Sequence, residues 1–234
     1  MLTSLTPELL MNILVKLFII VLILPLHEYA HAWTAHKLGD DTAMYQGRLT
    51  LNPMAHIDPI GALCLLIGGF GWAKPVPVDP TRFSRKHTMR VGMALTALAG
   101  PVANMLAAFV GMIAYRIYLC TDYYQTYVSD YIDGEGISNA PQIVQYMLYL
   151  FVSINIGLGL FNLVPIPPLD GSKILSSLTG NKLDRWYARN QYVVRVVFLI
   201  VLVTGILSWP LMIVEQAVFS LFEILTNWIP AVFG

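Results

Sequence analysis

The chain has 234 residues, of which 56% are hydrophobic and only 12% are charged. Soluble domains usually carry about 25% charged residues, so the composition excludes a soluble globular protein and predicts a membrane protein. The formal net charge is zero, and no nucleic-acid partner is expected.

Five apolar segments are long enough to predict transmembrane helices, because a span needs about 20 apolar residues. They cover about 9–38, 91–119, 142–164, 192–208 and 211–232. A further apolar run, 59–71, has only thirteen residues and four glycines, which favours a re-entrant loop over a sixth span. The predicted fold class is an all-α polytopic membrane protein with about five to six transmembrane helices.

The predicted protein is one domain over 1–234, with a core at about 9–180 and two C-terminal helices at about 191–232. After the first helix the residue pattern becomes typical of a strand, because polar and apolar residues alternate from Arg48 to Leu51. Alternate prolines in 72–78 permit only an extended or edge segment. We therefore expect a small membrane-associated β or re-entrant segment here.

Basic residues indicate the orientation of the spans. Lysines and arginines concentrate in 72–90 and 165–190, whereas 121–140 has four acids and neither Lys nor Arg. The positive-inside rule places the two basic segments in the cytoplasm. We therefore predict a multi-pass protein of the cell membrane, with its N-terminus outside and its C-terminus inside.

The end of the first predicted span carries His27, Glu28 and His31 in an H-E-x-x-H pattern. Residues four apart share a helix face, so both imidazoles can bind one metal ion while Glu28 lies beside them. Imidazoles suit zinc, and the carboxylate suits a general base that takes a proton from zinc-bound water. A chance match is the alternative. Polar groups beside an apolar run are costly, however, and are functional by default.

A catalytic zinc usually takes three protein ligands, so a third one is needed. His36 follows His31 by five residues and points about 140° away on a helix. His87 lies in a basic loop and is expected to be solvated. Asp170 follows a proline-rich turn that can aim its carboxylate into the bundle, although it could instead be the N-cap of 172–178.

Five motifs follow one another in the chain: H-E-Y-A-H (27–31), G-R-L-T-L-N-P-M-A-H-I-D-P-I-G (47–61), F-G-W-A-K-P-V-P-V (70–78), A-G-P-V-A-N (99–104) and N-L-V-P-I-P-P-L-D-G (162–171). Together they resemble the site-2 protease family of intramembrane zinc metalloproteases, in its compact prokaryotic branch without a PDZ domain. The stretch 59–71 is shorter than this branch leads us to expect.

The resemblance implies one Zn²⁺ per chain, held by His27, His31 and Asp170. It also implies that Glu28 is the general base and that the amides of Asn104 and Asn162 lie near the metal. The asparagine amides could help to hold an oxyanion or could make interhelical hydrogen bonds instead. The predicted function is hydrolysis of peptide bonds in transmembrane substrates near the cytoplasmic face.

A transmembrane substrate must be unwound locally before it is cut, and its freed backbone groups then need partners. Strand addition to the extended segments would supply them, unless these segments are simply ordered loops. The candidate pairing residues are Tyr45, Arg48, Thr50, Lys74 and Val76.

A rival hypothesis is a membrane metal carrier or scaffold that uses the same histidines and aspartate. Carriers often show paired repeats with interrupted helices, and the sequence has only one such constellation. A glutamate directly after the first histidine has no clear task in transport. The expected partners are therefore transmembrane protein or peptide substrates and the lipid bilayer, while the sequence predicts no oligomeric state.

Overall fold

The computed structural model describes residues 7–61, 72–84, 86–132 and 140–233. The helices in these residues are α1 Pro7–Lys37, α2 Thr42–Tyr45, α3 Met89–Leu119, α4 Asp122–Ile132, α5 Ala140–Asn162, α6 Asp170–Thr179, α7 Asn181–Arg189, α8 Gln191–Thr204, α9 Ser208–Leu225 and α10 Ile229–Phe233. The predicted all-α class is confirmed for this part of the chain.

Three helical stretches are long and apolar enough to cross a membrane: Met89–Leu119, Ala140–Asn162 and Ser208–Phe233. A fourth is added if Lys182–Arg189 and Gln191–Thr204, which meet at an 85° bend, form one broken span. The described residues therefore support a multi-pass membrane protein, but the predicted count of five to six spans is not confirmed. The path proposed for 59–71 lies mostly outside the described residues.

The predicted β segment is not confirmed. Tyr45 lies in the short helix α2, and the described residues between α1 and α3 contain one isolated antiparallel bridge, Ile57 to Ala73, in place of strands. The physical reason is that the backbone carbonyls of this region accept hydrogen bonds from a side chain. The guanidinium of Arg48 donates to the carbonyl of Ala55 and, at 3.4 Å, to that of Lys74, so a side chain takes carbonyls that a neighbouring strand would otherwise use.

Two Asx-Pro pairs start 3₁₀ turns in this region. Asn52 accepts a hydrogen bond from the N–H of Met54 at the head of a 3₁₀ turn, Pro53–Ala55. Asp79 accepts one from the N–H of Thr81 in the same way, ahead of Pro80–Arg82. Proline suits the first helical position because its missing N–H would have no partner there. These local caps specify short turns, which explains the irregular path.

The described chain divides into two compact units. The first comprises Met1–Ile20, Met105–Gly157 and Met212–Gly234. In it, Ser153 Oγ donates to Glu215 Oε1 at 2.6 Å, and the rings of Phe109 and Phe222 meet edge to face with centroids 5.2 Å apart. A carboxylate on the apolar helix α9 thus has a hydrogen-bond donor on α5, as polar groups in spanning helices require.

The second unit comprises Val21–Asn104 and Leu158–Leu211. It contains the C-terminal part of α1, the irregular segments that follow, the N-terminal part of α3, and α6 to α8. Small apolar side chains are fully buried in it, which allows backbones to approach closely: Ala32, Ala35 and Ala43. All the residues of the candidate site lie in this unit.

Candidate metal centre

Helix α1 presents the two histidines as the sequence predicts. The helix runs without interruption through Pro25, and the residues His27 and His31 are buried, with 4% and 7% of their surface exposed. Their rings meet edge to face with centroids 4.6 Å apart. One turn of helix therefore places both imidazoles at one point on a single face.

Asp170 is carried to the same point by the turn after α5. It is the first residue of α6, whose N-cap is Leu169 and whose cap lacks a side-chain hydrogen bond. The alternative role of Asp170 as an N-cap is therefore wrong. Gly171 is required beside it, because a Cβ there would lie 2.1 Å from the carbonyl oxygen of Leu163. The Asp-Gly pair thus lets the chain pass close to the end of α5.

Three electron-rich atoms converge in this cluster. Nε2 of His27 lies 3.0 Å from Nε2 of His31, and Oδ2 of Asp170 lies 3.3 and 3.1 Å from these nitrogens. Such atoms repel one another unless a proton or a metal cation lies among them. Ligand atoms of a tetrahedral zinc, at about 2.0–2.1 Å from the metal, are roughly 3.3 Å apart. The three residues therefore fit a zinc ion.

The second oxygen of Asp170 is held by a lysine. Nζ of Lys173 lies 3.3 Å from Oδ1, which leaves Oδ2 for the imidazoles. Burial acts to raise the pKa of the Asp170 carboxyl, but the adjacent His27 and His31 side chains, with the charge of Lys173, outweigh it and hold that pKa well below its usual range. The carboxyl group is therefore ionised at neutral pH, as a metal ligand must be.

One face of α3 orients both imidazoles. Nδ1 of His31 donates to the backbone carbonyl of Thr96 at 2.7 Å, and Nδ1 of His27 donates to Oδ1 of Asn104 at 2.8 Å. Gly100 lies between these residues, four from each, and a Cβ there would come within 2.5 Å of both rings. Because each Nδ1 carries the proton, each Nε2 lone pair is directed to the cluster.

Thr96 was not among the residues predicted for the site. Its contribution is a carbonyl oxygen, which every residue has, so the sequence contains no signal for it. Gly100 was recognisable as one of the small residues of α3, but what it approaches was not. Asn104, expected near the metal, is there as a partner of His27, and its Nδ2 is buried with no hydrogen-bond partner in the described part of the chain.

Glu28 lies beside the cluster on α1 and faces the segment 72–79. Its Oε2 accepts a hydrogen bond from the backbone N–H of Val76 at 3.2 Å. The cluster of metal-ligating side chains consists of the other three residues. Glu28 therefore lies next to the candidate metal position, and its carboxylate is not one of the candidate ligands.

The other polar residues that the sequence analysis considered lie elsewhere. Asn162 donates from Nδ2 to the carbonyl of Leu158, one turn earlier in its own helix, at 3.0 Å. His36 pairs with Asp41 and is partly exposed, which agrees with its predicted position off the metal-binding face. His87 is exposed in the loop before α3.

The residues proposed to pair with a substrate strand are mostly engaged within the chain. Arg48 is buried and bonds to carbonyls, and the carbonyl of Thr50 accepts from Nε2 of His56. The N–H of Lys74 donates to the carbonyl of His56 at 2.8 Å. Tyr45 is exposed. Pairing through these groups would therefore require some of them to exchange partners, and it stays a prediction.

Replacing Gly100 by alanine is expected to displace both imidazoles, because the added methyl group has no space between α3 and the rings. Overpacking of this kind costs about 1–3 kcal/mol. Thermal unfolding in detergent and metal content per chain measure the effect. Gly157→Ala is the matched control, since its Cβ would make only an ordinary contact, 3.7 Å from Glu215 Oε2. Equal behaviour of the two variants would contradict the close approach at Gly100.

Two imidazoles and a carboxylate that converge beside a glutamate, in a chain whose described residues include apolar helices long enough to cross a membrane, are typical of a membrane metalloprotease. The sequence model of peptidase family M50 matches residues 15–204 of this chain. The chain therefore belongs to peptidase family M50, the site-2 proteases. This confirms the family that the motifs indicated.

Similar proteins carry matching names. "Putative zinc metalloprotease YwhC" of Bacillus subtilis is 37% identical over 80% of this chain and 80% of its own length. "Putative zinc metalloprotease Rip2" of Mycolicibacterium smegmatis is 27% identical over 62% of this chain and 50% of its own. The Rip2 protein of Mycobacterium tuberculosis H37Rv is 34% identical over 39% of this chain and 36% of its own. No solved structure matches the chain significantly.

Proposed function

We propose that this chain is an intramembrane zinc metalloprotease that hydrolyses peptide bonds of transmembrane substrates near the cytoplasmic face. The observation that carries the proposal is the convergence of His27, His31 and Asp170 within 3.3 Å, directly beside Glu28. Membership of a peptidase family and relatives named as zinc metalloproteases support the same activity.

Zinc would be held by Nε2 of His27, Nε2 of His31 and Oδ2 of Asp170. Bound zinc supplies a Lewis acid, which acidifies water and polarises a carbonyl group. The protein's own contribution is orientation. Thr96 and Asn104 hold the imidazoles in the tautomer that a metal ligand needs, and Lys173 keeps the carboxylate ionised and directed through one oxygen.

Glu28 is proposed as the general base. It would accept a proton from the water that attacks the scissile carbonyl, and it would then pass that proton to the leaving amine. Its place in the helix supports this role, because it follows His27 and points beside the ligand face. In the described residues, the carboxylate of the ligand cluster belongs to Asp170, so that of Glu28 is available for proton transfer.

Asn104 is proposed to have two roles: it orients the imidazole of His27, and it stabilises the transition state. Its Oδ1 is occupied by His27, while its buried Nδ2 has no acceptor in the described residues. A buried donor without a partner is costly. A negatively charged oxygen that forms during the reaction would satisfy it. Asn162, whose amide bonds within its own helix, is a weaker candidate for the same task.

The orientation of the protein in the membrane is part of the proposal. The N-terminus lies outside, and the C-terminus and the active-site side face the cytoplasm, as the basic segments indicate. Substrate backbone that is unwound at this side would be held by strand-like pairing with the segments that carry Tyr45, Arg48, Thr50, Lys74 and Val76. Val76 would take part through its carbonyl group, because its N–H donates to Glu28.

Metal removal tests the proposal directly. The purified protein is expected to cut single-span transmembrane peptides, to lose this activity after treatment with a zinc chelator, and to regain it when zinc is added back. Mass spectrometry of the products identifies the bond that is cut. Magnesium is the control, because it prefers oxygen ligands and should not restore activity at a site with two imidazoles.

Two results would contradict the proposal. Cleavage that persists after zinc has been removed would show that the reaction does not need the metal. If the protein bound zinc stoichiometrically and carried it across vesicle membranes, but cleaved no peptide, the result would instead support a carrier.

A further inference from the structure

Within the described residues, the N–H of Val76 is the hydrogen-bond donor to the carboxylate of Glu28, and the bond joins residues 48 positions apart in the sequence. We infer that this backbone N–H is a positioning group for the general base. It holds Oε2 and thereby leaves Oε1 directed to the reacting water. The inference rests on the proposed function, because it deepens the role of Glu28 there.

The segment that carries this N–H is fastened on both sides of Val76. The N–H of Lys74 donates to the carbonyl of His56 at 2.8 Å, and the N–H of Asp79 donates to Oδ2 of Asp40 at 2.7 Å. Both acceptor residues are fully buried, with 0% of their surface exposed. The position of the Val76 N–H is therefore fixed by groups that lie outside the ligand cluster.

Asp40 also ties the segment to the helix that carries Glu28. It lies just after α1 and accepts hydrogen bonds from Thr42 in addition to Asp79. The carbonyl of Leu38 accepts from the N–H of Ser84 at 2.6 Å. The donor and the acceptor of the contact to Glu28 are thus held in one frame, as preorganisation of a catalytic group requires.

The two prolines that flank Val76 leave its N–H as the available backbone donor at this point of the segment. Pro75 and Pro77 have no N–H, so Val76 supplies the sole backbone donor over these three residues. The residue before a proline is also restricted to extended conformations, which limits the directions in which this N–H can point. One fixed donor next to the carboxylate orients it without a positively charged partner.

Removing this N–H while keeping an extended backbone tests the inference. Val76→Pro is expected to lower kcat about 10- to 100-fold, as for loss of a hydrogen bond to a charged group, with KM and zinc content unchanged. Val76→Ala shortens the side chain but keeps the N–H, so its kcat should stay at least about 10-fold above that of Val76→Pro. Val78→Pro is the matched control, because the Val78 N–H has no acceptor in the described residues and its loss should change little.

A second measurement does not depend on activity. In uniformly ¹⁵N-labelled protein, the Val76 amide should be protected from hydrogen exchange. Glu28→Ala should remove this protection, whereas Glu28→Gln should keep much of it, because the amide carbonyl still accepts. Exchange of the amides of Lys74 and Asp79 should be unchanged in both variants.

The outcomes separate the inference from the function on which it rests. If the wild-type protein cuts no substrate although the Val76 amide is protected through Glu28, the proposed function fails and the contact stands. If Val76→Pro raises KM and leaves kcat unchanged, the N–H pairs with substrate and the inference is overturned. Full kcat in a Val76→Pro variant, or a Val76 amide unaffected by Glu28→Ala, also overturns it.

Discussion

Replacing Glu28 by glutamine is expected to reduce peptide cleavage on the order of 10²- to 10⁴-fold, the usual contribution of a general base, while zinc remains bound. Glutamine has nearly the same size and still offers a carbonyl oxygen to the Val76 N–H. It cannot accept a proton from water at neutral pH. The substitution therefore removes the proton transfer and leaves the three proposed ligands in place.

Single-turnover cleavage of a transmembrane peptide, measured beside elemental analysis for zinc, checks this expectation. Glu223→Gln is the control, because Glu223 is an exposed carboxylate in α9 and should tolerate the same change. Cleavage that survives in Glu28→Gln would exclude Glu28 as the base. A loss of zinc together with activity would show instead that Glu28 helps to hold the metal.

Replacing Asp170 by alanine is expected to weaken zinc binding by more than about 100-fold, because changes to residues that merely orient ligands already cost about 10- to 100-fold. The variant removes the anionic ligand and leaves two buried imidazoles 3.0 Å apart. It also leaves Lys173 without its carboxylate. Both effects disfavour a bound cation, so activity should fall with the zinc content.

Competition with a chelator of known affinity measures the zinc dissociation constant of the wild type and the variant. Asp184→Ala is the matched control, since Asp184 is exposed on α7 and lies outside the ligand cluster. If Asp170→Ala bound zinc as tightly as the wild type, a different third ligand would have to be sought.

Much of the candidate site was predictable because its signals are local or have a simple period. Two histidines four apart share a helix face, and a glutamate between them lies beside that face. An Asp-Gly pair after a proline-rich turn indicates a chain that changes direction sharply, and the structure brings that aspartate to the histidines. The apolar composition likewise indicates a membrane protein from residue types alone.

The predictions that were not confirmed concern features that depend on hydrogen-bond partners elsewhere in the chain. Strand-like alternation at Arg48 to Leu51 predicts an extended segment, but a strand also needs a neighbour with free donors and acceptors. Here Arg48 and His56 take the carbonyls, and Asx-Pro turns interrupt the path. The predicted count of spans differs for another reason: Lys182–Arg189 and Gln191–Thr204 meet at an 85° bend, and hydropathy does not report a bend.

By itself, then, the sequence determined the class of protein, the His27–Glu28–His31 face and the identity of Asp170 as the third candidate ligand. Only the tertiary structure decided how these groups are oriented. The partners of His31, His27 and Glu28 lie 65, 77 and 48 residues away, and two of the three are backbone atoms. Backbone groups are the same in every residue, so no sequence pattern identifies which of them packing will bring to a side chain.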